Sequence, residues 1–217
     1  MRASALDTFR GRSLHSSADG SVKAVTDSQE RPLTAEEREE LYRSLLALYL
    51  KERELSRRDN KTGALNDRAF RELLTYEIKR SRRNVAPLTL VSLDLDGFKA
   101  VNDDLGHATG DLVLKVVTWT MQGTLREIDS VARLGGDEFA LLLPETNADN
   151  ARLVLDKLQS ALKNAMAAYQ WTVTFSVGVV TFKTPPATAD YMIDMADKTM
   201  LTVKRTGKNR VSYLVLD

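Results

Sequence analysis

From residue 59 to the C-terminus the chain alternates two hydrophobic rhythms. Apolar positions at helical spacing mark a helix over 67–83 and another whose face carries Ala151, Leu155, Leu158 and Leu162. A last helix carries Met192, Met195, Thr199 and Val203. LTLVSLDL, 88–95, is apolar almost throughout and reads as a buried strand. Two helices follow it, a short one near 98–105 and a longer one from about 110 to 127. SVARL and FALLLP read as two strands joined at Gly135-Gly136, a dipeptide that tolerates positive φ at both central turn positions. Trp171, Val173, Phe175, Val177 and Val179 alternate as a strand does, and VSYLV, 211–215, closes the pattern as another. The order β-α-α-β-β-α-β-α-β predicts an α/β fold of the α+β sandwich kind. It has a mostly antiparallel central sheet, a central hairpin and helices on both faces.

The first part of the chain follows different rules. Residues 1–32 are polar and without periodicity, which predicts disorder. Thr34, with Glu37 three residues later, then signals a helix start. That helix runs to about Arg58. Leu41, Leu45, Leu48 and Leu55 fall at coiled-coil spacing, with Glu52 interrupting the stripe and Tyr42 and Tyr49 forming a second seam. Two readings stand: a coiled-coil stalk, or an amphipathic helix lying on its own domain. The expected organisation is a disordered segment over 1–33, a helical extension over 34–58 and one folded domain over 59–217.

Composition narrows the function. Apolar content of 43% and charged content of 28% are those of a soluble globular protein. A net charge of +1 argues against a broad basic surface and so against nucleic acid as a partner. The absence of cysteine excludes disulfides, thiolate zinc sites and a cysteine nucleophile. His15 and His107 are too far apart to suggest a histidine-rich metal site. The N-terminus lacks the apolar core of a signal peptide, and the longest strongly apolar run, LLALYL at 45–50, cannot span a bilayer. A cytoplasmic protein without membrane contact is expected.

The acids carry the chemistry. Asp137 and Glu138 stand at the mouth of an apolar strand, where carboxylates are costly unless a cation compensates them. Asp94 ends the strand 88–95, the end at which open α/β sheets place ligands. If that strand neighbours the hairpin, Asp94 and Asp137 lie roughly 5 Å apart. Asp94 and Asp96 are expected to face opposite ways and to have separate roles. Paired carboxylates suit Mg²⁺, a hard ion that usually shares a phosphate. Gly97 and Phe98 open a helix whose N-terminus favours an anion, and Lys99 adds a charge. In KRTGKNR, 204–210, Lys204 and Lys208 stand one helical turn apart, although such a tract also suits a solvated helix end. Asn102 and Asp111 are candidate readers of a base. A carboxylate would favour guanine, which offers N1–H and N2–H₂ donors.

Four motifs in order resemble the GGDEF-domain diguanylate cyclases, across about Asp59 to Val215. They are DNKTGALN at 59–66, LDLDGFKAVND from 93 with GH and GD following, GGDEF at 135–139, and KRTGKN from 204. The resemblance implies a catalytic domain like those of nucleotide cyclases, which condenses two GTP into cyclic di-GMP and releases pyrophosphate. It implies that Asp94 and Asp137 bind Mg²⁺ (or Mn²⁺) with the Leu95 carbonyl. Glu138 would assist at the metal or in deprotonating the 3′-hydroxyl, and either Asp137 or Glu138 takes the proton. Asn102 and Asp111 would hold guanine. Lys99, Lys204, Lys208 and the 97–98 backbone would hold the triphosphate. Gly135 and Gly136 would leave room for the nucleotide. His107 is structural or a neighbour of the base readers. Each domain is then a half-site, and the active species is a homodimer that the 34–58 helix would promote. Arg126 and Asp129 resemble the family's R-x-x-D inhibitory site for cyclic di-GMP; the plainer reading is a helix-end arginine paired with a nearby acid. The chain departs from the family at packing positions: Ala64 where leucine is usual, Leu201 for tyrosine and Val203 for alanine. The other outcome is a regulatory module that binds GTP or cyclic di-GMP with little or no turnover.

Overall fold

Thr34 and Glu37 exchange reciprocal hydrogen bonds, 2.8 Å from the Thr34 N–H and 3.1 Å to the Thr34 hydroxyl, and so start helix α1 (Ala35–Leu55). The computed structural model describes residues 33–55 and 57–217, without the side chains of 53–55. The expected disorder of the N-terminal segment falls outside the described residues, apart from Leu33, as does the side chain of Leu55. Along α1, Leu41, Tyr42, Leu45, Leu48 and Tyr49 are all 49–64% exposed.

The remaining elements build one layered sheet. β1 (Leu65–Asn66) leads into α2 (Asp67–Asn84), whose first turn is capped by the Asn66 side chain accepting from the Ala69 N–H at 2.9 Å. Then come β2 (Leu88–Asp96), α3 (Phe98–Leu105), α4 (His107–Thr124), β3 (Ser130–Gly135), β4 (Glu138–Pro144), α5 (Ala148–Ala168), β5 (Thr174–Phe182), α6 (Ala189–Arg205) and β6 (Arg210–Leu216). The spatial order is β1-β3-β4-β2-β5-β6. β2 is therefore central, which explains its apolar run: all nine of its residues are buried. Its odd positions, Val91, Leu93 and Leu95, join a core with α4 and α5. Its even positions, Leu88 and Leu90, join a second core with α2 and α6.

Several expectations are corrected. The sheet is mixed rather than mostly antiparallel: β1 runs parallel to β3, and β5 parallel to β6. The second pairing follows from α6, which crosses over between two strands and so returns the chain in the same direction. β1, two residues long, is too short to leave a periodic signature. β5 begins at Thr174, not 171, because Trp171 instead stacks on Tyr169 at 4.5 Å. It runs on to Phe182 because both of its faces are covered. α4 runs from His107 to Thr124 rather than from 110 to 127, and only Gly106, which at φ +82° turns the chain abruptly, separates it from α3. The hairpin turn is centred on Gly136-Asp137, with Gly135 opposite Glu138; of the two glycines only Gly136 has positive φ, at 48°.

Candidate active site

The even face of β2 changes character along its length: Leu88 and Leu90 are core, then come Ser92, Asp94 and Asp96. Asp94 pairs in register with Glu138 on one side and Ser176 on the other, so their side chains share a face. The Leu95 N–H reaches the Asp137 carbonyl at 3.3 Å, which sets the hairpin turn beside the end of β2. α6 covers this face. Ser92 donates to Asp197 at 2.7 Å, and Lys204 Nζ lies 2.6 Å from Asp94. α6 can approach so closely because Gly178 of β5 has no side chain: a Cβ there would lie 2.3 Å from the Met200 nitrogen and 2.5 Å from the Ala196 oxygen.

Charge is concentrated here. Burial pushes the Asp94 carboxyl above the usual range, and Asp137 and Asp96 add to the rise while Lys204 opposes it. Glu138 is raised as well, by burial first and then by Asp94 and Asp197. Burial would lower Lys204, but Asp94, Asp137 and Glu138 together hold it above the ordinary lysine range. The donors are hard oxygens and the negative charge is under-compensated, which fits a divalent cation such as Mg²⁺. Among the described residues no three His, Asp or Glu side chains already close into a metal cage. Lys204 holds Asp94 instead.

Asp96 points to the same face as Asp94, as residues two apart on a strand must; the expectation of opposite faces is corrected. Its role is separate because its partners are. Ser176 donates to it at 2.8 Å, Thr174 at 3.1 Å and the Asn209 N–H at 3.1 Å, so Asp96 anchors the loop between α6 and β6. In that loop Gly207, Lys208 and Asn209 all have positive φ, 116°, 59° and 47°. α6 has ended at Arg205, so Lys204 and Lys208 are not stacked one helical turn apart, contrary to expectation. Lys208 is instead exposed on an anchored loop.

The base-reading candidates meet where α3 joins α4. A Cβ at Gly110 would lie 2.0 Å from Asn102 Oδ1, so this glycine makes room for the amide. Asp111, half-exposed, pairs with Lys61 at 2.7 Å, and Lys61 holds its carboxyl below the usual range. His107 is exposed at the start of α4, and Lys99 is exposed in the first turn of α3 after Gly97, at φ +82°. Neither Gly135 nor Gly136 would bring a Cβ within 4 Å of any atom, so the turn faces open space.

Two contributors were not foreseen from sequence. Lys61 is one. Arg133 is the other: its guanidinium donates to the Gly136 carbonyl at 2.6 and 2.9 Å and to Asp59 at 3.0 Å. Asp59 in turn accepts from Thr62 at 2.6 Å, so the 59–63 turn and the hairpin turn are clamped together. The available clue was a single arginine inside the apolar run SVARL.

Arg126 and Asp129 lie at the other end of the hairpin. Arg126 Nη2 donates to Asp129 at 2.9 Å and to Thr146 at 2.8 Å, and its Nε to Asp129 at 3.2 Å. The Asp129 side chain is wholly buried, whereas that of Arg126 is 52% exposed and lines a cavity of about 300 Å³ with Arg58, Gln122 and Glu127. The fork is thus engaged internally by Asp129 and Thr146, and about half of the Arg126 side chain stays open to solvent, which leaves both readings standing.

The family model described as diguanylate cyclase, GGDEF domain, matches residues 56–210. Diguanylate cyclase DgcP of Pseudomonas aeruginosa is 35% identical over 156 residues, 70% of this chain and 23% of that protein. Diguanylate cyclase A of Treponema denticola is 33% identical over 140 residues, 63% of this chain and 38% of that protein. Cyclic di-GMP phosphodiesterase NbdA of P. aeruginosa is 32% identical over 163 residues, 74% of this chain and 21% of that protein. The chain therefore spans well under half the length of these relatives. Among solved structures, the coiled coil and GGDEF domain of DgcB from Caulobacter crescentus, in complex with c-di-GMP, superposes with a TM-score of 0.72 at 25% identity, covering 82% of this chain and 96% of that one. Diguanylate cyclase SiaD of P. aeruginosa, in complex with its activator SiaC, gives 0.67 at 34% identity, covering 81% of this chain and 68% of that one.

Proposed function

We infer, for a chain that belongs to the GGDEF-domain diguanylate cyclase family, that it condenses two GTP into cyclic di-GMP and releases two pyrophosphates. The observation that carries this reading is the face shared by Asp94 and Glu138 beside Asp137, hard oxygen donors whose charge calls for a cation. Asp94, Asp137, Glu138 and the Leu95 carbonyl would hold Mg²⁺ or Mn²⁺. A cation bound there supplies Lewis-acid polarisation of the α-phosphate and lowers the pKa of the attacking hydroxyl. The chain's own groups do the rest. Asn102 and Asp111 receive guanine, with Lys61 fixing one oxygen of Asp111. Lys99, Lys204 and Lys208 meet the triphosphate. Either Asp137 or Glu138 takes the 3′-hydroxyl proton. That oxygen then bonds to the α-phosphorus of the other GTP as the bond to pyrophosphate breaks.

One domain presents one nucleotide, so two must face each other, and the active species is a homodimer. The exposed leucine and tyrosine seams of α1 suit a parallel helix pair, and the coiled coil of the DgcB structure supports that use. No described helix is long and apolar enough to cross a membrane. The phosphodiesterase NbdA among the relatives favours a second reading, a regulatory module that binds nucleotide without cyclising it. Incubation with GTP and Mg²⁺ separates the two: cyclic di-GMP and pyrophosphate in a 1:2 ratio support the enzyme, and nucleotide binding without product supports the module.

Arg126 and Asp129 are the candidate inhibitory site. Product binding would draw on the exposed edge of the Arg126 fork, which suits a phosphate or a guanine Hoogsteen edge. Arg126→Ala is expected to raise the cyclic di-GMP concentration for half-inhibition by at least about tenfold, the loss of one charged bidentate contact. An unchanged inhibition curve would remove the site.

A further inference from the structure

Lys204 and Asp94 form the closest ion pair of the active face, 2.6 Å, with side chains 29% and 7% exposed. The ammonium sits on one of the carboxylates that the metal reading assigns to a divalent cation. Asp137 and Glu138 also act on this lysine, so it serves as counter-charge to the whole cluster. The same side chain is assigned to the triphosphate, and one ammonium cannot neutralise Asp94 and grip a phosphate in full at the same time. A lysine suits such a double life: it is a compact point charge on a flexible stem, without the fixed fork of an arginine. The turn of α6 before Lys204, at Ala196 and Met200, is seated against Gly178, so the root of Lys204 is fixed and only the stem is free to move.

The geometry points to an exchange. In the nucleotide-free protein Lys204 is a tethered counter-cation holding the metal's place on Asp94, and it transfers to the phosphates when metal and triphosphate arrive together. This rests on the metal reading above and deepens it. A metal arriving alone must displace the ammonium and leave it without a partner. A metal arriving with a triphosphate gives the ammonium a new anion. Metal and nucleotide then bind with positive coupling, reciprocal by linkage. Empty sites would keep little metal and stay compact at the cluster, and the cation would be loaded mainly as its nucleotide complex.

Mn²⁺ alone is the probe, titrated into nucleotide-free protein and followed by electron paramagnetic resonance of the free ion. Wild type, Lys204→Met, Lys204→Gln, Lys208→Met and Asp94→Asn are compared, each checked for folding by thermal unfolding. Both Lys204 variants are expected to bind Mn²⁺ on the order of tenfold more tightly than wild type. That is a low-end figure for removing a unit charge about 4 Å away at a partly solvated site. Lys208→Met, which removes the same charge from a residue without that contact, is expected to change affinity by less than about threefold on the same scale. Saturating 3′-deoxy-GTP, which cannot condense, should tighten Mn²⁺ binding in wild type more than in Lys204→Met. Unchanged or weaker Mn²⁺ binding in both Lys204 variants overturns the exchange, as does an equal gain in Lys208→Met. Mn²⁺ binding that survives Asp94→Asn, or is absent from every variant, overturns the metal reading itself and the exchange with it.

Discussion

Asp137→Ala is expected to abolish cyclic di-GMP formation, lowering turnover by at least about a thousandfold, while the protein stays folded. The two halves of that result have separate causes. Asp137 lies in the two-residue turn between β3 and β4, half-buried, at a backbone position that any residue adopts. Its carbonyl, which survives the substitution, makes the contact to the Leu95 N–H. The clamp on the turn acts through the Gly136 carbonyl and Arg133, and it survives too. Stability should therefore change by less than about 1 kcal/mol, as for a surface position. What is lost is one of the few oxygens able to hold a cation beside Asp94, and with it a candidate for the proton acceptor. Turnover is read by product chromatography and folding by circular dichroism on the same sample. Activity within about tenfold of wild type would remove Asp137 from the metal site.

Gly178→Val is expected to cost about 1–3 kcal/mol of stability, a typical overpacking penalty, and to disable the site from behind. Gly178 faces Ser92 across the β2–β5 ladder, under α6. The atoms that a Cβ would strike, the Met200 nitrogen at 2.3 Å and the Ala196 oxygen at 2.5 Å, are backbone and cannot rotate away. The helix itself must rise off the sheet. Asp197 and Lys204 ride on that helix, so their contacts to Ser92 and Asp94 would lengthen together. Urea unfolding reads the first effect as a lower midpoint at unchanged slope. Weakened binding of 3′-deoxy-GTP reads the second. A midpoint equal to wild type would mean that α6 is not seated against Gly178 as described.

Much of this was legible in the residues themselves. β2 showed itself as a buried strand by a run apolar almost throughout, and Asp94 at its end marked where core gives way to site, although its central place in the sheet was not read from the residues. The convergence of Asp94 with the hairpin acids required only that β2 neighbour β4, which it does. Other features were hidden for physical reasons. Two-residue β1 is too short for any period, and its parallel pairing depends on where the 59–64 turn delivers it. The pairs Lys61–Asp111 and Arg133–Asp59 join residues 50 and 74 positions apart, a separation over which charge pattern carries no signal. Lys204 and Lys208 look like a helical pair on spacing alone. The left-handed run from Gly207 to Asn209, held by Asp96, takes Lys208 off the helix. Strand alternation, counted as if Asp94 and Asp96 were adjacent, separates the two; the period of two puts them on one face. Of the three departures from the family, Ala64 and Val203 prove to be packing positions and Leu201 does not. Ala64 and Val203 are buried and Leu201 is largely exposed, with Lys204 directed at Asp94 regardless.

On the proposed mechanism each domain supplies half of a site, with its own acids serving its own nucleotide. Subunit mixing is the decisive experiment. Wild-type and Asp137→Ala chains are combined at low concentration, allowed to exchange, concentrated and given GTP with Mg²⁺. Cyclic di-GMP is expected to fall as the square of the wild-type fraction, while a linear dinucleotide carrying a triphosphate accumulates from mixed pairs able to form only one of the two bonds. Cyclic product in simple proportion to the wild-type fraction, with no linear dinucleotide, would contradict it.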